Sequence, residues 1–227
     1  PLAGSAWSQP ATVEGFVQSA PNAVLMRFAA LERARSRGSR LLDVGCGAGR
    51  NALPLAHLGW DVLGIDLSAP MLAAAAGRAG EPQGSGRLHL AFAPMDRIPV
   101  ADESVDFVVA HGIWNLATST AMFRRAVRDA ARVAKPGAAL FVFTFSRNTL
   151  PAEVEPVPGE SFVFTQFSGQ PQCFLTDTEL IDELGEAGFS QEPGWPLTEY
   201  NRPRPGALKG LAGPVIYEGV FRRRATS

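Results

Sequence analysis

What this sequence has little of already removes several classes of function. Its 227 residues contain only two cysteines, Cys46 and Cys173, and three histidines. Two thiols are too few for a disulfide framework and lack the paired spacing of a zinc site, so a reducing compartment is expected. The histidines His57, His89 and His111 form no recognisable ligand motif, and no metal is expected. Charge of either sign is not in excess: 21 Lys plus Arg face 22 Asp plus Glu. A balanced chain has no overall attraction for polyanions or anionic lipid, so neither nucleic acid nor membrane is expected as a partner. No apolar run approaches the roughly 20 residues that cross a bilayer. The opening PLAGSAWSQP lacks the basic and apolar regions of a secretion signal. These absences predict a cytoplasmic protein.

What is present points to a folded enzyme-sized domain. Hydrophobic residues make up 46% of the chain, enough for one sizeable core, and residues 1–227 read as a single domain. The 23 glycines and 18 prolines imply many turns between short elements. Val24, Leu25, Phe28 and Leu31 recur at helical spacing, and residues 1–37 read as an N-terminal helical segment. The apolar run Arg40 to Val44 then enters Gly45-Cys-Gly-Ala-Gly49 as a buried strand. A helix over 50–58, a strand ending at Asp66, a helix over 71–78 with Ser68 as its N-cap, and strands over 87–92 and 105–110 follow. Residues 119–134 carry one apolar helical stripe, Lys135-Pro-Gly137 stops it, and a strand runs over 138–145. Thr176 to Glu179 forms a capping box before a helix that ends at Gly188, and Val215 to Phe221 reads as the last strand. Alternating strands and helices predict a parallel α/β sheet. Residues 147–175, rich in proline and phenylalanine, are irregular; a lid over the site and a plain surface insertion both fit them.

In such sheets ligands bind beyond the carboxyl ends of the strands, where Gly45, Gly47 and Gly49 stand. The dinucleotide fingerprint needs its third glycine three positions after the second, and these are spaced by two. A P-loop would need Gly-Lys-Ser/Thr. Asp43, two residues before the first glycine, is awkward beside a pyrophosphate and suits a ligand carrying a cationic amino group. Asp66, 17 residues after Gly49, stands at the next strand end, where a carboxylate can accept from ribose hydroxyls.

This constellation resembles the class I S-adenosylmethionine-dependent methyltransferases, in the type 11/25-like small-molecule branch. The strings LDVGCGAGR, DVLGIDLS, IPVADESVDFVVA and ARVAKPGAALFVF carry the resemblance over about residues 41–188. It implies a Rossmann-like three-layer sandwich around a mostly parallel seven-stranded sheet of order 3-2-1-4-5-7-6, the last strand antiparallel. It also implies S-adenosylmethionine as cofactor, S-adenosylhomocysteine as product and a small-molecule acceptor. On that pattern Gly45, Cys46 and Gly47 lie against the methionine part with Asp43 beneath, Asp66 holds the ribose and Leu67 packs on adenine. Arg50, Asn51, Met71, Met95, Ala110 and His111 complete the cofactor set. Pro94 occupies a position where the family commonly has an adenine-binding Asp, so Asp96 is expected to take over through a shifted loop. A cofactor-binding regulator and a nicotinamide-dependent oxidoreductase are the competing readings.

His111, in the string HGIWN, is the one histidine at a strand end facing the expected site. It is the candidate general base, with a structural hydrogen-bonding role as the alternative. Trp7, Trp114, Asn115, Phe164, Tyr200 and Arg202 are the candidate acceptor contacts, with Phe16, Phe162, Phe167 and Arg204 beside them. Residues 147–175 are the expected substrate cap. A monomer and a homodimer fit the sequence equally.

Overall fold

The computed structural model describes residues 6–80, 86–202 and 213–225. Helix α1 spans Pro10–Gln18 and α2 Ala23–Arg35, followed by strand β1 at Arg40–Val44, α3 at Ala52–His57, β2 at Asp61–Asp66 and α4 at Ala69–Ala79. Strands β3 (Arg87–Phe92) and β4 (Val105–His111) precede α5 (Thr120–Val133) and β5 (Ala134–Phe145). The short pair β6 (Val163–Phe164) and β7 (Gln172–Cys173) leads into α6 (Asp177–Glu186), β8 (Phe189–Gln191), β9 (Thr198–Tyr200) and β10 (Ile216–Arg223).

The main sheet runs β3-β2-β1-β4-β5-β10-β8. Its first five strands pair in parallel, and β10 is antiparallel to both β5 and β8. Counted along the main path, β10 is the seventh strand and β8 the sixth, the expected order. The addition is β9, an eighth strand that pairs with residues 216–218 of β10, while β8 pairs with 221–223. The central strands are apolar on both faces because helices cover both: Phe107, Val108, Val109 and Ala110 of β4 are all buried. One face packs on α2 and α3 through Leu25, Phe28, Ala52 and Leu55. The other packs on α5 and α6 through Phe123, Val127, Leu180 and Leu184.

Local chemistry sets the element ends. Asn22, Ser68 and Ser119 each accept from a backbone N–H in the first turn of α2, α4 and α5, and Thr176 and Glu179 form both halves of the expected capping box. One region adds detail to the sequence reading and two differ from it. The polar opening contains α1, begun by Pro10 in its first turn. Lys135-Pro-Gly137 does not delay β5: Val105 pairs with Ala134 and Phe107 with Ala139, so a bulge with Gly137 at φ 79° absorbs these residues within the strand. Residues 147–175 are in part built into the core. Phe162 and Phe164 are buried, Phe162 lies 5.1 Å from Phe123, and β6 pairs with β7 beside the core. Burying such rings stabilises by roughly 1.5–3 kcal/mol each, which favours the interior over a wet cap.

Candidate active site

At the end of β1 the backbone turns through Gly45, Gly47 and Gly49, all at positive φ. The backbone N–H groups of Gly45 and Cys46 both donate to Ile65 O, which ties the turn to β2. Asp66, the last residue of β2, accepts from Gly47 N at 2.9 Å and from Ser68 N at 2.8 Å. Each carboxylate oxygen thereby keeps acceptor capacity for a ligand.

Beside this turn lies a cleft of about 490 Å³, inside the usual range for a small-molecule site. Gly45, Gly47, Arg50, Asp66, Leu67, Met71, Met95 and His111 line it, as the sequence reading expected, together with Trp7 and Phe16 from the N-terminal segment. Those two rings meet edge to face at 5.9 Å. The remaining wall is apolar, from Ile113, Leu116, Met122 and Phe143. The sequence reading missed this wall because Met122 and Phe143 sit in core-like runs.

Other expected residues stand elsewhere. Asp43, Cys46, Asn51 and Ala110 are buried behind the lining; Cys46 Sγ fills the space that a side chain at Gly64 would need, and Asn51 Oδ1 accepts from Asn22 N at 3.0 Å. Asp96 is not part of the cleft lining, and Arg125 of α5 holds its carboxylate at 3.0 Å. Trp114 and Asn115 are buried in the short turn after β4, with Trp114 packed edge-on to Phe123. Phe164 is in the core with Arg147 over its ring, so it is not a cleft contact. Tyr200 is on β9, and Arg202 pairs with Glu199 at 2.7 Å; neither lines the cleft. Arg204 lies outside the described residues.

Two titrating groups define the electrostatics. Asp43 is fully buried, and its Oδ2 has no hydrogen-bond partner among the described residues. Burial pushes it up to about 7; Arg50 pulls it down and Asp66 pushes it further up. An unpartnered buried carboxylate beneath a glycine turn fits a cationic amino group. His111 stacks on Phe143 at 4.1 Å and presents Nδ1 to Arg50 Nη2 at 3.0 Å. Burial and the Arg50 charge depress it to about 3, which makes it neutral near pH 7. Among the described residues no cluster of His, Cys, Asp or Glu is placed to hold a metal, and no helix is long and apolar enough to cross a membrane.

Fold and cleft together define a doubly wound α/β protein with a ligand site at the strand carboxyl ends. Residues 42–142 match the family described as Methyltransferase domain. A ubiquinone biosynthesis O-methyltransferase of Azorhizobium caulinodans is 28% identical over 156 residues, 67% of this chain and 59% of that one. A 27-O-demethylrifamycin SV methyltransferase of Amycolatopsis mediterranei is 30% identical over 170 residues, 73% of this chain and 59% of that one. The chain thus spans about three-fifths of the length of these relatives. Among solved structures, an S-adenosylmethionine-dependent methyltransferase of Methanosarcina mazei superposes with a TM-score of 0.68 at 18% identity, covering 92% of this chain and all of that one. The fold is that of the S-adenosylmethionine-dependent methyltransferases.

Proposed function

We propose that this protein transfers a methyl group from S-adenosylmethionine to a small-molecule acceptor. The observation that carries the reading is the buried Asp43, its Oδ2 without a hydrogen-bond partner among the described residues, beneath the glycine turn with Asp66 at the next strand end, one suited to an amino group and the other to ribose hydroxyls. Bound there, the cofactor supplies a methyl group already activated on a cationic sulfur. Asp43 holds the amino group, Asp66 the ribose, and Leu67 and Met95 flank the base. Trp7 and Phe16 close over the ligand and exclude water. The acceptor meets Ile113, Leu116, Met122 and Phe143, which align its lone pair with the methyl carbon. Alignment is the main contribution the protein makes to such a displacement.

Support for a small acceptor comes from the largely apolar cleft and from relatives named for ubiquinone biosynthesis and rifamycin. Balanced charge argues against a nucleic-acid substrate. Two buried free cysteines are consistent with a cytoplasmic setting. The test is formation of S-adenosylhomocysteine from S-adenosylmethionine across phenol, thiol, amine and carboxylate acceptors. Turnover with at least one class is expected. Cofactor binding with no turnover across the whole set would contradict methyl transfer.

A further inference from the structure

We propose that Glu218 is a positioning residue for the cleft: acting through Asn22, it fixes the ring proton of His111 on Nδ1. His111 then meets a ligand as a neutral hydrogen-bond donor beside Arg50. The inference rests on the reading of the cleft as a cofactor site, but its structural core is testable without cofactor.

Strand register brings the parts together. His111 of β4 is paired with Phe143 of β5, and Phe143 with Glu218 of β10, so the three form one row across the sheet. Glu218 is a buried carboxylate 107 positions beyond His111 in the chain, and it is absent from the cleft lining. Asn22, the N-cap of α2, lies over this row. Its Oδ1 accepts from Leu25 N at 2.8 Å, its Nδ2 donates to Glu218 Oε2 at 2.6 Å, and its backbone N donates to Asn51 Oδ1 at 3.0 Å. With the carbonyl oxygen used by the helix and the amide nitrogen held by a carboxylate, the side chain has no freedom to flip. The face it turns toward His111 Nε2, 3.3 Å away, is therefore its second N–H.

Both ring nitrogens consequently face donors, Asn22 at Nε2 and Arg50 at Nδ1. A neutral imidazole has one lone pair and can accept from only one of them. Asn22 is fixed by three other bonds. Arg50 sits on a long side chain that packs over the Phe16 ring and is held by the charge of Asp43 rather than by a fixed set of hydrogen bonds. The lone pair goes to Asn22, the proton goes to Nδ1, and Arg50 is the group that yields toward the cleft. Phe143 holds the ring plane at an interplanar angle of 10°. Tyr200 of β9 also hydrogen-bonds the Glu218 carboxylate.

The test uses the full chain with no ligand and reads the His111 ring tautomer by long-range proton–nitrogen-15 NMR near neutral pH. The wild type is expected to show the Nδ1–H form. Glu218→Leu, which frees the Asn22 amide to flip, should shift the ring to Nε2–H. Glu218→Gln, which keeps an acceptor for Asn22, should restore Nδ1–H. Asn22→Asp retains the helix cap but replaces the donor with an acceptor, and should give Nε2–H even if Glu218→Leu fails to fold. An Nε2–H ring in the wild type, or an unchanged tautomer in both Asn22→Asp and a folded Glu218→Leu, overturns the proposal. S-adenosylhomocysteine titrations then read the consequence: about tenfold weaker binding in Glu218→Leu with near wild-type affinity in Glu218→Gln. No binding by the wild type would contradict the cofactor reading and leave the tautomer result standing.

Discussion

Gly47 N donates to Asp66 Oδ2 at 2.9 Å, so the carboxylate that ends β2 also holds the turn that ends β1. One side chain thus shapes the glycine loop and faces the cleft that the loop borders. Ligand recognition and loop conformation are thereby coupled, and substitutions in either are expected to affect both.

The glycines differ in what they tolerate. A Cβ at Gly45 would stand 2.7 Å from Ile113, besides the strain of φ 71°, whereas at Gly47 the nearest atom is 3.7 Å away. Gly47→Ala should cost about 1–2 kcal/mol, the left-handed penalty alone. Gly45→Ala should cost more and displace Ile113 from the cleft. Thermal unfolding of the two variants gives the comparison; equal losses would contradict the steric assignment.

Asp43 predicts a pH dependence whose sign follows from its raised value. The folded group titrates near 7 against an ordinary value of 3.8, so the native state holds the proton more tightly than the unfolded chain. Stability attributable to this group is therefore full below about pH 4 and declines as pH rises to about 7. Asp43→Asn should abolish that decline, measured by urea unfolding across the range. A cationic amino group favours the ionised carboxylate, so cofactor affinity should rise from pH 6 to 8 with proton release below 7. Calorimetry in buffers of different ionisation enthalpy reads that release, and its absence would separate Asp43 from the amino group.

The aromatic residues divide by location. Phe162→Ala should cost about 3–5 kcal/mol by opening a core cavity against Phe123, with ligand affinity retained in the folded fraction. Trp7→Ala, at a residue 37% exposed, should leave stability nearly unchanged and weaken cofactor binding roughly tenfold. The reverse pattern would move the acceptor cap back to residues 147–175.

The chain reads clearly where function and local periodicity coincide. Three glycines at a strand end, Asp43 and Asp66 were all visible as types at spacings, as were the apolar runs of β1, β4 and β5. What depended on distant partners was not. Asp96 looked available until α5 brought Arg125 to it, and Phe162 and Phe164 looked like a lid until Phe123 and Phe174 met them. Asn22 and Glu218 are 196 residues apart and joined only by the register of β10 beside β5. His111 was legible as a strand-end imidazole, but its neutral state comes from burial and Arg50, which spacing does not reveal.

The central claim is that Asp43 and Asp66 make this cleft an S-adenosylmethionine site. Its most direct test is titration of the folded chain with S-adenosylhomocysteine, beside Asp66→Ala. Saturable one-to-one binding by the wild type, weakened at least a hundredfold in a folded variant, is the expected result. Equal affinity in the two proteins, or preferential binding of a nicotinamide dinucleotide by the wild type, would contradict it.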